Sequence, residues 1–419
     1  MALAPLLQLV PLPPALWTAL PGRASIKAGY EVAGLSLPNL PVSLDPAATW
    51  RSFYALLPAI ALFLTALQLP HRAFRALLIV AVLVGAFSVL LGLAQLAFPV
   101  PWLRPFDNPM YEDAVGFFTG RNNLSALFYS TLPLAMVGTF CLLRRRKRIA
   151  ALFGAAVAVI IAFGIVLARS RAGFGIGLMT FAGAFAVIVF ESELGNRRKV
   201  LIRFGIPAAI ALLIVLQFTF YRILPRLGLS IAEDLRWPIA ATTLRAIAAY
   251  FPFGSGFGTF VPVYQMFQQT DTLVPAYINH AHNDWLENLL EGGVLTVLVG
   301  VPLVGFLAVS AFRVMFRYPE PADRTERALA RTGLLVMLGL LLHEFLEYPL
   351  RTQALMGLMA IACAAVMRPL TLRRAEAMDA PPRHEAPPAQ PPEPRSNSRS
   401  RRRRRSSRPR WRALLGLDR

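Results

Sequence analysis

Nine apolar stretches, most of them long enough to form a helix that crosses a bilayer, constrain this chain more than any other feature. They cover residues 52–69, 76–98, 124–143, 149–168, 173–190, 200–219, 292–312, 329–346 and 353–367. About 20 mostly apolar residues span ~30 Å of hydrocarbon. In lipid, a helix or a closed barrel is needed to satisfy the backbone. Hydrophobic residues make up 56% of the 419 and charged residues 16%, against about 25% charged in an average soluble domain. The mean hydropathy is +0.52. These values exclude an ordinary soluble globule. They predict an all-α polytopic membrane protein with about nine transmembrane helices, one larger outward loop and a disordered basic C-terminal tail. Cys141 and Cys363 are the only cysteines, and both lie in apolar runs. That excludes a disulfide scaffold and a cysteine-rich metal site.

Charge gives the orientation. The links His71 to Arg75, Arg144 to Arg148, Arg197 to Lys199 and Arg313 to Arg327 are basic, and alternating spans place all four on one side. Residues 368–419 join them, with fifteen arginines against five acidic residues, half of the net +20. The positive-inside rule makes that side cytoplasmic. The tail is rich in proline and arginine, and it cannot bury enough apolar surface to order itself. Beside a membrane it is expected to meet anionic lipids. It lacks the interleaved aromatics of a nucleic-acid binder, so no nucleic acid is expected. Residues 1–50 show no signal peptide. Pro11, Pro13 and Pro14 interrupt the first apolar stretch, which reads as an interfacial, extracytoplasmic segment. An outside N-terminus with no preceding span suggests helices upstream of it or a misassigned start.

Five segments follow: 1–50 at the interface, 51–219 with six spans, a periplasmic loop domain at 220–291, 292–367 with three spans, and the tail from 368. The outward connections carry the chemistry. Arg104, Arg121, Arg169, Arg171, Arg222, Arg226, Arg236, Arg245 and Arg351 lie there against the orientation bias. Arg171, in a link of about four residues between spans, is either a snorkelling anchor or a holder of an anionic lipid-linked substrate, because guanidinium matches phosphate oxygens bidentately. Gly254-Ser255-Gly256-Phe257-Gly258 reads as a turn that brings backbone against another element, or as a phosphate-cradling nest. The densest polar string is Asn279-His280-Ala281-His282-Asn283-Asp284-Trp285-Leu286-Glu287, followed by Glu291. Continued as a helix, it puts His280, Asp284, Glu287 and Glu291 on one face, with His280 expected to pair with Asp284. The string can be a helix cap, a weak metal site, or the home of a catalytic histidine that exchanges a proton near neutral pH.

This string resembles the hallmark of the O-antigen ligase and polymerase superfamily. Ala168-Arg169-Ser170-Arg171-Ala172-Gly173 is similar to that family's Ser-Arg-small motif. Arg236 with Pro252-Phe253-Gly254-Ser255-Gly256-Phe257-Gly258-Thr259-Phe260 is similar to its arginine and Gly-rich stretch. Gly120-Arg121-Asn122-Asn123-Leu124-Ser125-Ala126 resembles its Asn-rich entry to a span, and His343-Glu344-Phe345-Leu346-Glu347-Tyr348-Pro349-Leu350 its penultimate helix end. The resemblance covers roughly 75–365. It implies a C-class glycosyltransferase of the inner membrane, working on the periplasmic face. An undecaprenyl-diphosphate-linked glycan would be the donor, and a saccharide, lipid A-core or protein hydroxyl the acceptor. By the same resemblance Arg171 and Arg236 bind and stabilise the leaving diphosphate, and His282 orients or deprotonates the acceptor. Arg121, Asn123, Arg169, His280, Asn283, Glu291 and His343 are expected to bind substrate around them. Neither a metal nor another cofactor is implied. Two other classes compete. A transporter or flippase of lipid-linked sugars predicts charges within spans, and a non-catalytic scaffold predicts that His282 is freely replaceable.

Overall fold

The computed structural model describes residues 3–98, 100–106, 112–193, 198, 202, 235–269, 277–317 and 324–379, with side chains as far as Arg368. The chain divides into two compact units, Met1–Ala375 and Glu376–Arg419. The elements below lie in the first, apart from the last turn of the last helix. Described regular structure is helical, and an isolated bridge joins Leu12 and Leu40. The helices are α1 (Leu3–Leu7), α2 (Pro14–Trp17), α3 (Ala24–Val32), α4 (Pro46–Gln68), α5 (His71–Ala97), α6 (Arg121–Arg144), α7 (Arg148–Leu167), α8 (Arg171–Glu191), α9 (Arg236–Tyr250), α10 (Phe260–Phe267), α11 (Asp284–Gly292), α12 (Val294–Phe316), α13 (Arg324–His343) and α14 (Gln353–Asp379).

Among the described residues, α4 to α8 and α12 are long and apolar enough to cross a membrane. They coincide with the first five expected spans and the one expected at 292–312. The span expected at 200–219 lies outside the described residues. Two helices differ in extent from the expected spans. The span at 329–346 is helix α13, which starts earlier, among the charged residues Arg324, Glu326, Arg327 and Arg331, and stops at His343. The helix expected at 353–367 runs on to Asp379, so residues 368–379 are helical where a disordered tail was expected. The tail from 380 lies outside the described residues.

Helix α6 is the centre of the bundle and packs against α5, α7, α8 and α13. Close approach needs small residues, because lipid-embedded helices pack by shape rather than by hydrophobic exclusion. A Cβ on Gly173, near the start of α8, would lie 1.8 Å from Ser125 Oγ on the first turns of α6. Ser170 caps α8 by accepting from the Gly173 N–H at 3.1 Å. Helices α4 and α12 bury little of themselves within the protein, as expected of helices that are apolar all round.

One end of the bundle gathers basic residues from the described parts of the basic links. Glu326 accepts from Arg75 at 2.8 Å and lies 3.0 Å from His71. Buried Glu191 accepts from Arg327 at 2.9 Å and Arg331 at 2.6 Å. Arg368, buried over the Phe74 ring, donates to the carbonyls of Ala66 and Leu69 and so satisfies the end of α4. Glu191 lies at this end, whereas Arg236 lies at the opposite one with the start of α6, the start of α8 and the end of α13.

The N-terminal segment is bonded to the opposite end. The buried Gln8 amide donates to the Glu291 carbonyl at 2.8 Å and accepts from the Phe257 N–H at 3.1 Å. The Leu44 N–H donates to Ser255 O at 2.8 Å. Helices α1 and α2 are too short to span, as their prolines foretell, and Leu3, Leu7, Val10 and Leu16 remain exposed.

Candidate active site

Asn283 caps α11, accepting from the Leu286 N–H at 3.2 Å. The helix therefore starts at Asp284, and the two histidines lie before it rather than on its face. His282 adopts a left-handed backbone, φ 52°, which is uncommon outside glycine although histidine is among the types that adopt it more often. The turn is held from below, because the Asp284 N–H donates to Glu344 O at 2.8 Å. His280 pairs with Glu287, Nδ1 to Oε1 at 2.9 Å, not with Asp284 as expected. The Tyr348 ring lies 4.1 Å from that of His280 and 5.4 Å from that of His282.

Glu347, just beyond α13, joins four elements. Its Oε2 lies 3.0 Å from His282 Nδ1. Its Oε1 accepts from Arg236 Nη2 at 2.5 Å and from Asn122 Nδ2 at 2.6 Å. Its side chain is 5% exposed. Burial pushes this carboxyl up, but the hydrogen bond from His282 and the charges of His282 and Arg236 outweigh burial and hold it below the usual carboxylate range.

A second hub supports the first. Arg351 donates Nε to Asp284 Oδ1, and its two terminal nitrogens reach Glu287 at 3.2 Å and Glu291 at 3.3 Å. The face shared by Asp284, Glu287 and Glu291 thus exists, turned toward one guanidinium. Glu291 also accepts from the Phe260 N–H at 3.1 Å. Burial raises its carboxyl to about 7 against the pull of Arg351, with Glu287 and Asp284 adding to the rise. The Gly-rich loop packs onto the end of α11. Gly254 has φ +77°, and a Cβ there would lie 2.4 Å from Glu291 O. That is the turn that brings backbone against another element.

The third group surrounds Asp113. Arg121 reaches its carboxylate at 2.9 Å and Arg169 at 3.8 Å, while Arg104 donates to its carbonyl at 3.1 Å. Arg169 has φ 53°. Arg121 adjoins Asn122, and Arg169 adjoins the Ser170 cap of α8, on which Arg171 is the first, exposed residue. The chain of partners therefore runs from the α8 start through Asp113 and the α6 start to Glu347.

The structure brings His282 and Arg236 to one carboxylate. Of the expected substrate-binding residues, Arg121, Arg169 and His280 lie in the clusters around it, and four others have partners or burial of their own. Asn123 is buried in the bundle, and its neighbour Asn122 reaches Glu347. Asn283 is a cap. Glu291 is buried and bonded on both oxygens. His343 is fully buried, with Nδ1 3.0 Å from Tyr129 OH. Arg222 and Arg226 lie outside the described residues. Sequence reasoning missed Glu347 as a site residue, along with the Arg351 hub. The signal available was the His343–Leu350 string, from which only His343 was taken. Among the described residues no three His, Cys, Asp or Glu side chains are grouped to hold a metal ion.

A helical multi-pass membrane protein with histidines, arginines and carboxylates gathered at one end of the bundle is the class that fold and site define. Residues 156–301 match the O-antigen ligase family. With the motifs, that match supports the O-antigen ligase and polymerase superfamily, whose members are glycosyltransferase-like membrane enzymes of glycan biosynthesis. The matched region contains Arg169, Arg171, Arg236, His280 and His282, and ends before Glu347 and Arg351. No curated protein matches the chain significantly.

Proposed function

We propose that this protein transfers a glycan from a polyprenyl diphosphate to an acceptor hydroxyl on the periplasmic side of the inner membrane. The observation that carries this reading is the convergence of His282 and Arg236 on Glu347, which sets a proton acceptor beside a guanidinium. The acceptor oxygen forms a bond to the anomeric carbon. The bond from that carbon to the diphosphate breaks, and its electron pair leaves on the diphosphate. The acceptor proton passes to His282. Arg236 and Arg171 stabilise the charge that develops, the task a divalent ion performs elsewhere, so the reaction needs no metal. A saccharide, a lipid A-core or a protein hydroxyl can serve as acceptor. The basic tail binds anionic lipid on the cytoplasmic side.

Lysine at Arg171 or Arg236 keeps the charge but loses the planar fork. Each replacement should cut transfer at least about tenfold, the equivalent of ~1.4 kcal/mol of lost transition-state stabilisation. Membrane insertion should be normal. Wild-type transfer by either variant would remove that arginine from the mechanism. Orientation is tested separately. An impermeant maleimide should label Tyr277→Cys in cells permeable at the outer membrane only, and Arg146→Cys only after the inner membrane is opened. The reverse pattern would overturn the orientation.

A further inference from the structure

We propose that Glu347 is a positioning residue that fixes the tautomer and ring orientation of His282, leaving Nε2 as the proton acceptor. This rests on the transfer reading above. An ionised carboxylate can only accept hydrogen bonds. With Oε2 3.0 Å from His282 Nδ1, that nitrogen must carry the proton, so the lone pair lies on Nε2. The carboxylate is itself fixed, because Arg236 and Asn122 both donate to its other oxygen. Three elements thereby set one oxygen pair, and the oxygen pair sets one ring. The His282 backbone points the same way. A left-handed histidine is a strained conformation that persists where its surroundings enforce it.

His280 provides the contrast. It makes a similar bond to Glu287, but the other Glu287 oxygen accepts from the Ala281 N–H at 2.8 Å, and Arg351 lies 3.2 Å away. That pair builds the turn. The Glu347 pair instead shares its carboxylate with an arginine whose side chain is 36% exposed. Around His282 the structure places Glu347, which it shares with Arg236, and the Tyr348 ring, which also lies beside His280.

The test uses the full-length protein in liposomes with a polyprenyl-diphosphate glycan and a soluble acceptor. Initial rates are followed across pH for wild type, Glu347→Gln, Glu347→Asp and His282→Ala. The amide of Glu347→Gln can still accept from Arg236 and Asn122, but its NH₂ can donate to Nδ1 and stabilise the wrong tautomer. The turnover number should fall about 10²–10⁴-fold, as for misdirected general bases elsewhere, with a smaller change in the donor KM. Glu347→Asp should restore part of the rate. A structural role alone would lower the amount of folded protein and leave the turnover number of the folded fraction unchanged. Should Glu347→Gln fail to fold, nitrogen NMR of the His282 imidazole in the wild type decides the matter. The Nδ1–H tautomer supports the proposal, and the Nε2–H tautomer overturns it. Wild-type rate in a folded Glu347→Gln, with His282→Ala inactive, would refute the positioning role and leave the transfer reading intact. Full activity in His282→Ala would remove the transfer reading itself.

Discussion

Arg351→Met should destabilise the protein by about 3–5 kcal/mol, the range expected when one partner is removed from a buried ion pair. One guanidinium, 22% exposed, serves three carboxylates, of which the Glu287 and Glu291 side chains are 1% exposed. Methionine fills much of the volume and supplies no donor. The three acids would then face one another in a low-dielectric site, where like charges disfavour ionisation. Glu291, already raised against the pull of Arg351, is raised further once that charge is gone, so the folded state holds more protons than the unfolded state. Stability of the variant therefore falls as pH rises and partly recovers on acidification. Burial and the neighbouring acids already raise Glu291 to about 7 in the wild type, against Arg351. Thermal unfolding in detergent at two pH values measures both effects. Arg351→Lys should lose less, since it keeps the charge but not the three-way reach. Adding Glu287→Gln and Glu291→Gln to Arg351→Met should restore part of the loss. An Arg351→Met protein with wild-type stability at every pH would show that the hub does not hold the site.

His282→Ala should reduce transfer about 10²–10⁴-fold, the usual contribution of general acid–base catalysis, while lipid-linked donor accumulates. The side chain is 30% exposed and its removal opens no core cavity, so the drop in melting temperature should be limited to the loss of one hydrogen bond to Glu347. His280→Ala should be milder, because His280 completes the Glu287 turn beside the centre rather than the Arg236 pair. Glycan assays and melting curves on both variants separate these roles. The reverse ranking would move the proton acceptor to His280.

The apolar runs made the bundle legible, because a length of about 20 residues is demanded by the bilayer and not by neighbouring helices. The basic links were legible for the same reason: they are local in sequence and they gather at one end. The end of α13 was not legible. Phe345 and Leu346 continue the apolar pattern, yet the chain turns at His343 so that the Glu344 backbone carbonyl and the Glu347 carboxylate meet α11 and its preceding strap. The Asn122–Asn123 pair shows a similar limit. Which of two adjacent asparagines faces the site depends on the rotation of α6, and tertiary packing sets that. His280 pairs with Glu287 rather than Asp284 because Asn283 can either continue a helix or cap it, and here it caps. Glu347 was hidden most completely. A glutamate in a short turn has no local signature, and its partners Asn122, Arg236 and His282 come from three distant parts of the chain.

The most direct test of the central claim is reconstitution of purified protein in liposomes with a polyprenyl-diphosphate glycan, an acceptor and excess chelator. Free polyprenyl diphosphate and glycosylated acceptor are measured together. The wild type should release one polyprenyl diphosphate for each glycan transferred despite the chelator, and His282→Ala should release almost none. Equal release by His282→Ala, or release by the wild type that requires an added divalent ion, would contradict a metal-independent transfer centred on His282 and Arg236.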